Sequence, residues 1–241
     1  MTKEYNVVVD IGNTRIKIAV FENGAILKQF ILDQLNELEE IFEKYKGSFV
    51  ISSVKNDRNT LDKLLQDQSY LYLDHTTPLP IRIDYLTPQT LGMDRLAAIV
   101  GGFSQFEKNV LVIDIGTCVT YDYLDHQSVY QGGAISPGLQ MRMRAMSHYT
   151  SQLPDISQHW ENIPLEELGK STQGCLRVGA FKGLLKEIEG FISDYRKDND
   201  ELHVILTGGD SKYFESKLKA PIFADFNLLL TGLNTILNFN K

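Results

Sequence analysis

Two stretches of the chain carry the same set of groups able to handle a polyphosphate. Residues 7–14 read Val-Val-Val-Asp-Ile-Gly-Asn-Thr, and residues 111–118 read Leu-Val-Ile-Asp-Ile-Gly-Thr-Cys. In each, an apolar run of strand character meets an aspartate, then Ile, Gly and a hydroxyl or amide. The carboxylate of Asp10 or Asp114 suits a metal-bound phosphate. Gly12 and Gly116 let the backbone turn closely, and the N–H and hydroxyl groups that follow can donate to phosphate oxygens. A single such turn is also how an ordinary strand ends, because Asp and Gly are common turn residues. Two of them, about 104 residues apart in a chain of 241, point to two similar domains. Facing each other across a cleft, the two turns would form a nucleotide clamp. Neither is a Gly-x4-Gly-Lys-Ser/Thr loop, and no Gly-x-Gly-x-x-Gly fingerprint follows a strand.

The elements that must position these turns follow from hydrophobic period and turn residues. Strands are expected at 6–12, 16–21 and 25–31, the last two joined by the hairpin signal Asn23-Gly24. Leu35, Leu38, Ile41 and Phe42 have helical spacing, with Asp33 as a possible cap and Gly47 as the stop. A buried strand at 49–54, a helix at 59–68 and a short strand at 70–73 follow. Residues 75–88 hold three prolines and read as extended or loop-like. A helix from 93 to 106 contains Gly101-Gly102, which suits close helix packing. The second half repeats the order: strands at 110–115, 120–124 and 129–134, then a Met- and Arg-containing helix opened by Ser136-Pro137-Gly138-Leu139. Residues 149–170 are mostly irregular, and 172–195 form a long helix. A strand at 202–206 ends in Thr207-Gly208-Gly209-Asp210. A short helix, a strand at 221–224 and a terminal helix close the chain. The order β-β-β-α-β-α recurs in both halves, with no Pro- or Ser-rich linker between them, and places the domain boundary near residue 108. The expected fold is α/β, with domains 1–108 and 109–241, each a mixed sheet flanked by helices.

Composition narrows the field. The profile, 43% hydrophobic and 23% charged, is that of an ordinary globular chain. A net charge of −7 with no basic block argues against nonspecific nucleic-acid or anionic-membrane binding. No run approaches a transmembrane span, and no signal-peptide pattern opens the chain. Cys118 and Cys175 form no metal or Cys-x-x-Cys spacing and read as reduced thiols of a cytoplasmic protein. The five histidines are scattered. Met141, Met143 and Met146 read as packing residues, and the acidic run 37–43 as a solvated helix face.

Taken in order, Asp10-Ile11-Gly12-Asn13-Thr14 with Lys17, Leu91-Gly92-Met93-Asp94-Arg95, Asp114-Ile115-Gly116-Thr117, Gly132-Gly133-Ala134-Ile135-Ser136-Pro137-Gly138 and Thr207-Gly208-Gly209-Asp210 resemble the type III pantothenate kinases. That family belongs to the actin/hexokinase/Hsp70-like superfamily. The resemblance spans nearly the whole chain, and Gly-x-Asp-Arg is its discriminating motif. It implies two actin-like (ribonuclease H-like) domains and ATP-dependent phosphorylation of the primary hydroxyl of pantothenate, the first step of coenzyme A synthesis. It also implies a homodimer that uses Mg²⁺ and a monovalent cation, K⁺ or NH₄⁺.

By the same resemblance, Asp10, Ile11, Gly12, Asn13, Thr14, Arg15, Ile16, Lys17 and Thr117 contact ATP, with Asp10 holding Mg²⁺ directly or through water. Tyr85, Gly92, Met93, Asp94, Arg95 and Thr172 contact pantothenate. Asp94 is the proton acceptor, Arg95 a fork for the substrate carboxylate, and Asp114 a ligand of the monovalent cation. Blander readings stand beside these. Lys17 fits an exposed strand lysine, Asp94 the first turn of a helix, Tyr85 a half-buried strand aromatic, and Thr172 a helix cap. A regulatory protein on the same fold, or a sugar- or acetate-type kinase of the superfamily, would share the two Asp-Gly turns. Cys118 stands where many members have Ala.

Overall fold

The computed structural model describes residues 4–12, 15–55, 58–65, 68–197, 199 and 201–241. Asn13 and Thr14, two of the expected phosphate contacts, lie outside the described residues.

The elements are β1 (Tyr5–Ile11), β2 (Ile16–Glu22), β3 (Ala25–Leu32), α1 (Leu38–Lys44), β4 (Gly47–Ser53), α2 (Arg58–Leu64), β5 (Leu71–Tyr72), β6 (Arg82–Ile83), α3 (Met93–Phe106), β7 (Val110–Ile115), β8 (Cys118–Leu124), β9 (Val129–Pro137), α4 (Leu139–His148), α5 (Thr172–Lys197), β10 (His203–Thr207), β11 (Phe223–Ala224) and α6 (Leu228–Phe239). They pack as two compact units. One comprises the chain up to Lys108 with 124–131 and 227–241; the other comprises 109–123 with 132–226.

In the first unit, the sheet order is β3-β2-β1-β4-β5. β1 runs antiparallel to β2 and parallel to β4. The Val-rich β1 is buried on both faces, as a central strand must be. One face carries Val7, Val9 and Ile11 with Ile16, Ile18 and Val20, packed on α1 and α2. The other carries Val8 and Asp10, and α3 and α6 pack on β1 and β4. Asn23 and Gly24 both take positive φ, the geometry the β2–β3 hairpin demands. Gly101 and Gly232 explain how closely α3 and α6 approach. A Cβ on Gly101 would lie 2.3 Å from the Leu228 carbonyl, and one on Gly232 would lie 1.7 Å from that of Ala97.

In the second unit, β7 lies between β10 and β8, with β10 parallel to both β7 and β11. Its core joins Leu111, Ile113 and Ile115 to Leu139 and Met143 of α4 and to Leu176, Phe181 and Leu184 of α5.

Several local expectations need correction. The first helix opens with a single 3-10 turn whose capping box is Gln34–Glu37, so Asp33 is not its cap. β9 continues through Pro137, and α4 starts one residue after Gly138. The helix after β4 ends at Leu64, short of 68. Residues 82–83, inside the proline-rich loop, form β6 beside the start of β9. The stretch 149–170 is mostly irregular, as expected, and its Ile156, Trp160 and Ile163 pack into the core of its own unit.

Candidate active site

Asp10 is the penultimate residue of β1 and is 6% exposed. In register it stands opposite Lys17 of β2 and Ser52 of β4. Directly opposed residues share a sheet face, so a lysine, a carboxylate and a hydroxyl form one row across three strands. Lys17 is exposed. Ile11 and Ile16 point the other way, into the apolar core, and offer a ligand only their backbone. The Gly12 N–H donates to the Arg15 carbonyl at 3.1 Å, closing the turn, so Gly12 supplies shape rather than a donor. Arg15 is exposed.

Also in the first unit, Gly92 is the N-cap of α3, and Asp94 lies in the first turn. The Asp94 carboxylate accepts the Arg95 backbone N–H at 2.9 Å. It folds back over Gly92, where a Cβ would come within 2.4 Å of Asp94 Oδ1. Gly92 is the N-cap by its backbone, while the half-buried Asp94 side chain accepts a first-turn N–H of α3, a setting that favours negative charge. Met93 is half-buried. Arg95 is 7% exposed. Tyr85 is half-buried, its ring 6.1 Å from that of Tyr130.

The second unit holds the other Asp turn. Gly116 N–H donates to the Cys118 carbonyl at 2.9 Å, as Gly12 does in its own turn. Gly208, at φ +93°, approaches this turn so closely that a Cβ would lie 2.3 Å from Asp114 Oδ1 and 2.5 Å from the Ile115 carbonyl. The Asp210 N–H donates to that carbonyl at 3.0 Å. Gly138 meets the turn from the other side: its N–H donates to the Thr117 carbonyl at 3.1 Å, and a Cβ there would strike Gly116 and Thr117. Three motifs far apart in sequence thus converge on one turn. Thr117 is exposed. Burial raises the Asp210 carboxyl above its ordinary range, with Lys212 opposing and Glu161 adding to the effect. Thr172 is exposed at the start of α5; the cap there is Ser171, whose Oγ accepts the Gly174 N–H at 3.1 Å.

Sequence reasoning missed a polar network that fixes the Gly138 approach. Glu187 of α5 accepts hydrogen bonds from Tyr121, Ser136 and Arg142. Arg142 also donates from Nε to the Pro137 carbonyl at 2.8 Å. Burial alone would raise the Glu187 carboxyl, but these donors hold it below its ordinary range. Burial and the Glu187 charge together raise the Tyr121 phenol. No signal in the sequence singled it out, because Glu187 shares α5 with Glu189 and several other charged residues.

Among the described residues, no three His, Cys, Asp or Glu side chains converge as a metal cage. A buried single carboxylate at a strand end is instead the donor set of a hydrated Mg²⁺ that also binds substrate phosphates. Asp10 fits that description. At Asp114, Gly208 packs so closely against the carboxylate and the Ile115 carbonyl that no side chain fits between them.

The fold is the two-domain actin/hexokinase-like one. Solved structures share it at low identity. A conserved Baf family protein from Campylobacter jejuni superposes with a TM-score of 0.63 at 22% identity, covering 97% of this chain and 98% of that one. A ROK hexokinase from Thermus thermophilus does so with a TM-score of 0.55 at 14%, covering 98% and 99%. The sequence profile of the type III pantothenate kinases matches residues 6–194. Type III pantothenate kinases from Phocaeicola vulgatus and Bacteroides fragilis are 42% and 43% identical to the chain, with 98% of each sequence aligned. The chain belongs to the type III pantothenate kinase family.

Proposed function

We propose that the chain transfers the γ-phosphoryl group of ATP to the primary hydroxyl of pantothenate, forming 4′-phosphopantothenate for coenzyme A synthesis, with Asp94 as general base. The observation that carries the assignment of the base is the Gly92–Asp94 geometry: Gly92 is the N-cap, and the half-buried carboxylate is fixed at the first turn of α3 with Oδ1 accepting the Arg95 N–H. The substrate oxygen forms a bond to the γ-phosphorus as the bond from that phosphorus to the β-phosphate oxygen breaks. The hydroxyl proton passes to Asp94, and the electron pair of the broken bond leaves with ADP. Such transfers are governed by positioning and charge stabilisation. Arg95 binds the pantothenate carboxylate as a two-pronged donor, and Tyr85, Gly92, Met93 and Thr172 complete that site.

Asp10, Lys17 and the 11–16 turn hold the phosphates, with Thr117 as a further ATP contact. Mg²⁺, when bound at Asp10, neutralises charge on the phosphates. Asp114 takes the monovalent cation, K⁺ or NH₄⁺. We further propose a cytoplasmic homodimer. A monomer by light scattering at assay concentration would contradict the dimer. Among the described residues, no helix is long and apolar enough to cross a membrane.

The decisive assay is ATP-dependent phosphorylation of pantothenate by the purified protein with Mg²⁺, in K⁺ and in Na⁺. Product in K⁺ alone supports both the reaction and the cation site. No product in any cation, from folded protein, would overturn the reading.

A further inference from the structure

β4 contains two adjacent serines that the structure treats differently. Ser53 Oγ accepts the Lys55 N–H at 3.1 Å and shapes the turn after the strand. Ser52 is 0% exposed, and its Oγ has no hydrogen-bond partner among the described residues. A buried hydroxyl without a partner is costly, and a small apolar residue would avoid that cost. Its neighbours on the same face, Val8, Ala19 and Val50, are fully buried and apolar. Ser52 breaks this apolar lining directly beside Asp10, its register partner on the parallel strand β1. Adjacent strands lie about 4.8 Å apart, so the two side chains leave the sheet side by side.

We propose that Ser52 is a positioning residue for Asp10. When the nucleotide site is loaded, its hydroxyl donates to one Asp10 carboxylate oxygen, directly or through one water, and turns the other oxygen toward the cation. This rests on the reading of Asp10 as the carboxylate that faces the metal–nucleotide. Partners of this kind, one bond removed from the metal, commonly set its affinity.

The test is Mn²⁺·ADP binding, followed by the Mn²⁺ paramagnetic resonance signal, for wild type, Ser52→Ala, Ser52→Thr, Asp10→Asn and the double variant Ser52→Ala/Asp10→Asn. Thermal midpoints without ligand are measured in parallel. Ser52→Ala is expected to weaken binding about 10-fold without lowering the midpoint, because it removes a buried hydroxyl. Ser52→Thr keeps the hydroxyl and should stay within about twofold of wild type. The double variant should bind no worse than Asp10→Asn alone. Unchanged affinity in Ser52→Ala, or independent multiplication of the two losses, would overturn the proposal while leaving Asp10 in its role. Wild-type affinity in Asp10→Asn would overturn the Asp10 reading and the proposal with it.

Discussion

A single methyl group at residue 92 separates the two readings of Asp94. Gly92 takes φ −62° and ψ 128°, which alanine adopts without strain, so the only obstacle to a Cβ is the Asp94 carboxylate 2.4 Å away. That carboxylate is the far end of a movable side chain. Gly92→Ala should therefore change stability by no more than about 1 kcal/mol, the gain in the unfolded state offsetting a poorer cap. Turnover should nevertheless fall, because the base is displaced. Asp94→Asn should cut turnover by about 10²–10⁴ with little change in ATP binding. Steady-state kinetics beside a thermal melt checks both. Near-normal turnover in Asp94→Asn removes it as the base, and normal turnover in Gly92→Ala removes the need for this exact placement. Arg95→Lys keeps the charge and loses the fork; it should raise the KM for pantothenate about tenfold and leave that for ATP unchanged. An effect on ATP alone would reassign Arg95. The residue types of the Gly-Met-Asp-Arg motif were legible in sequence. Which residue caps the helix was not, because Gly and Asp are both good caps and only the backbone geometry chooses.

The elements carry the site through contacts that lie far apart in sequence. Asn23-Gly24 gave the β2–β3 hairpin because its φ requirement is local. Residues 82–83 gave no strand signal, because two residues pair only when β9 is already there to receive them. The Glu187 network is of the same kind: its four members come from β8, β9, α4 and α5. It ties α5 to Pro137 and hence to the Gly138–Thr117 contact. Glu187→Gln should destabilise the protein by about 1–2 kcal/mol at neutral pH, the loss of hydrogen bonds to a charged acceptor. The folded-state pKa of Glu187 lies below its unfolded value of 4.5. Its contribution is thus fully present above 4.5 and is lost as pH falls through the folded value. Thermal midpoints of wild type and Glu187→Gln should converge on acidification below that point. A gap that stays constant would mean that the carboxylate charge contributes nothing. Because the network positions Gly138 beside the second Asp turn, Glu187→Gln should also raise the KM for ATP more than that for pantothenate.

At the scale of the whole chain, the internal repeat was the strongest sequence signal, and it suggests equal roles for its two copies. The folded copies differ. The first connection spans residues 12–15 and the second only 116–117. Asp10 is buried in a row with Lys17 and Ser52, whereas Asp114 is half-buried, its register partner is Thr207, and Gly208 presses against it. A lysine beside the carboxylate suits phosphate; at Asp114 the register partner is a threonine instead. Sequence spacing does not reveal this divergence, because what distinguishes the copies is the neighbouring strand and loop rather than the motif itself. The two aspartates should therefore fail differently. Asp10→Asn should depress turnover in every monovalent salt. Asp114→Ala should flatten the response to K⁺ and NH₄⁺ over Na⁺ while retaining nucleotide binding. Rates measured in the three chlorides, with nucleotide affinity measured separately, decide between them. If Asp114→Ala retains full K⁺ activation, the cation sits elsewhere, and the second turn is a phosphate cradle like the first.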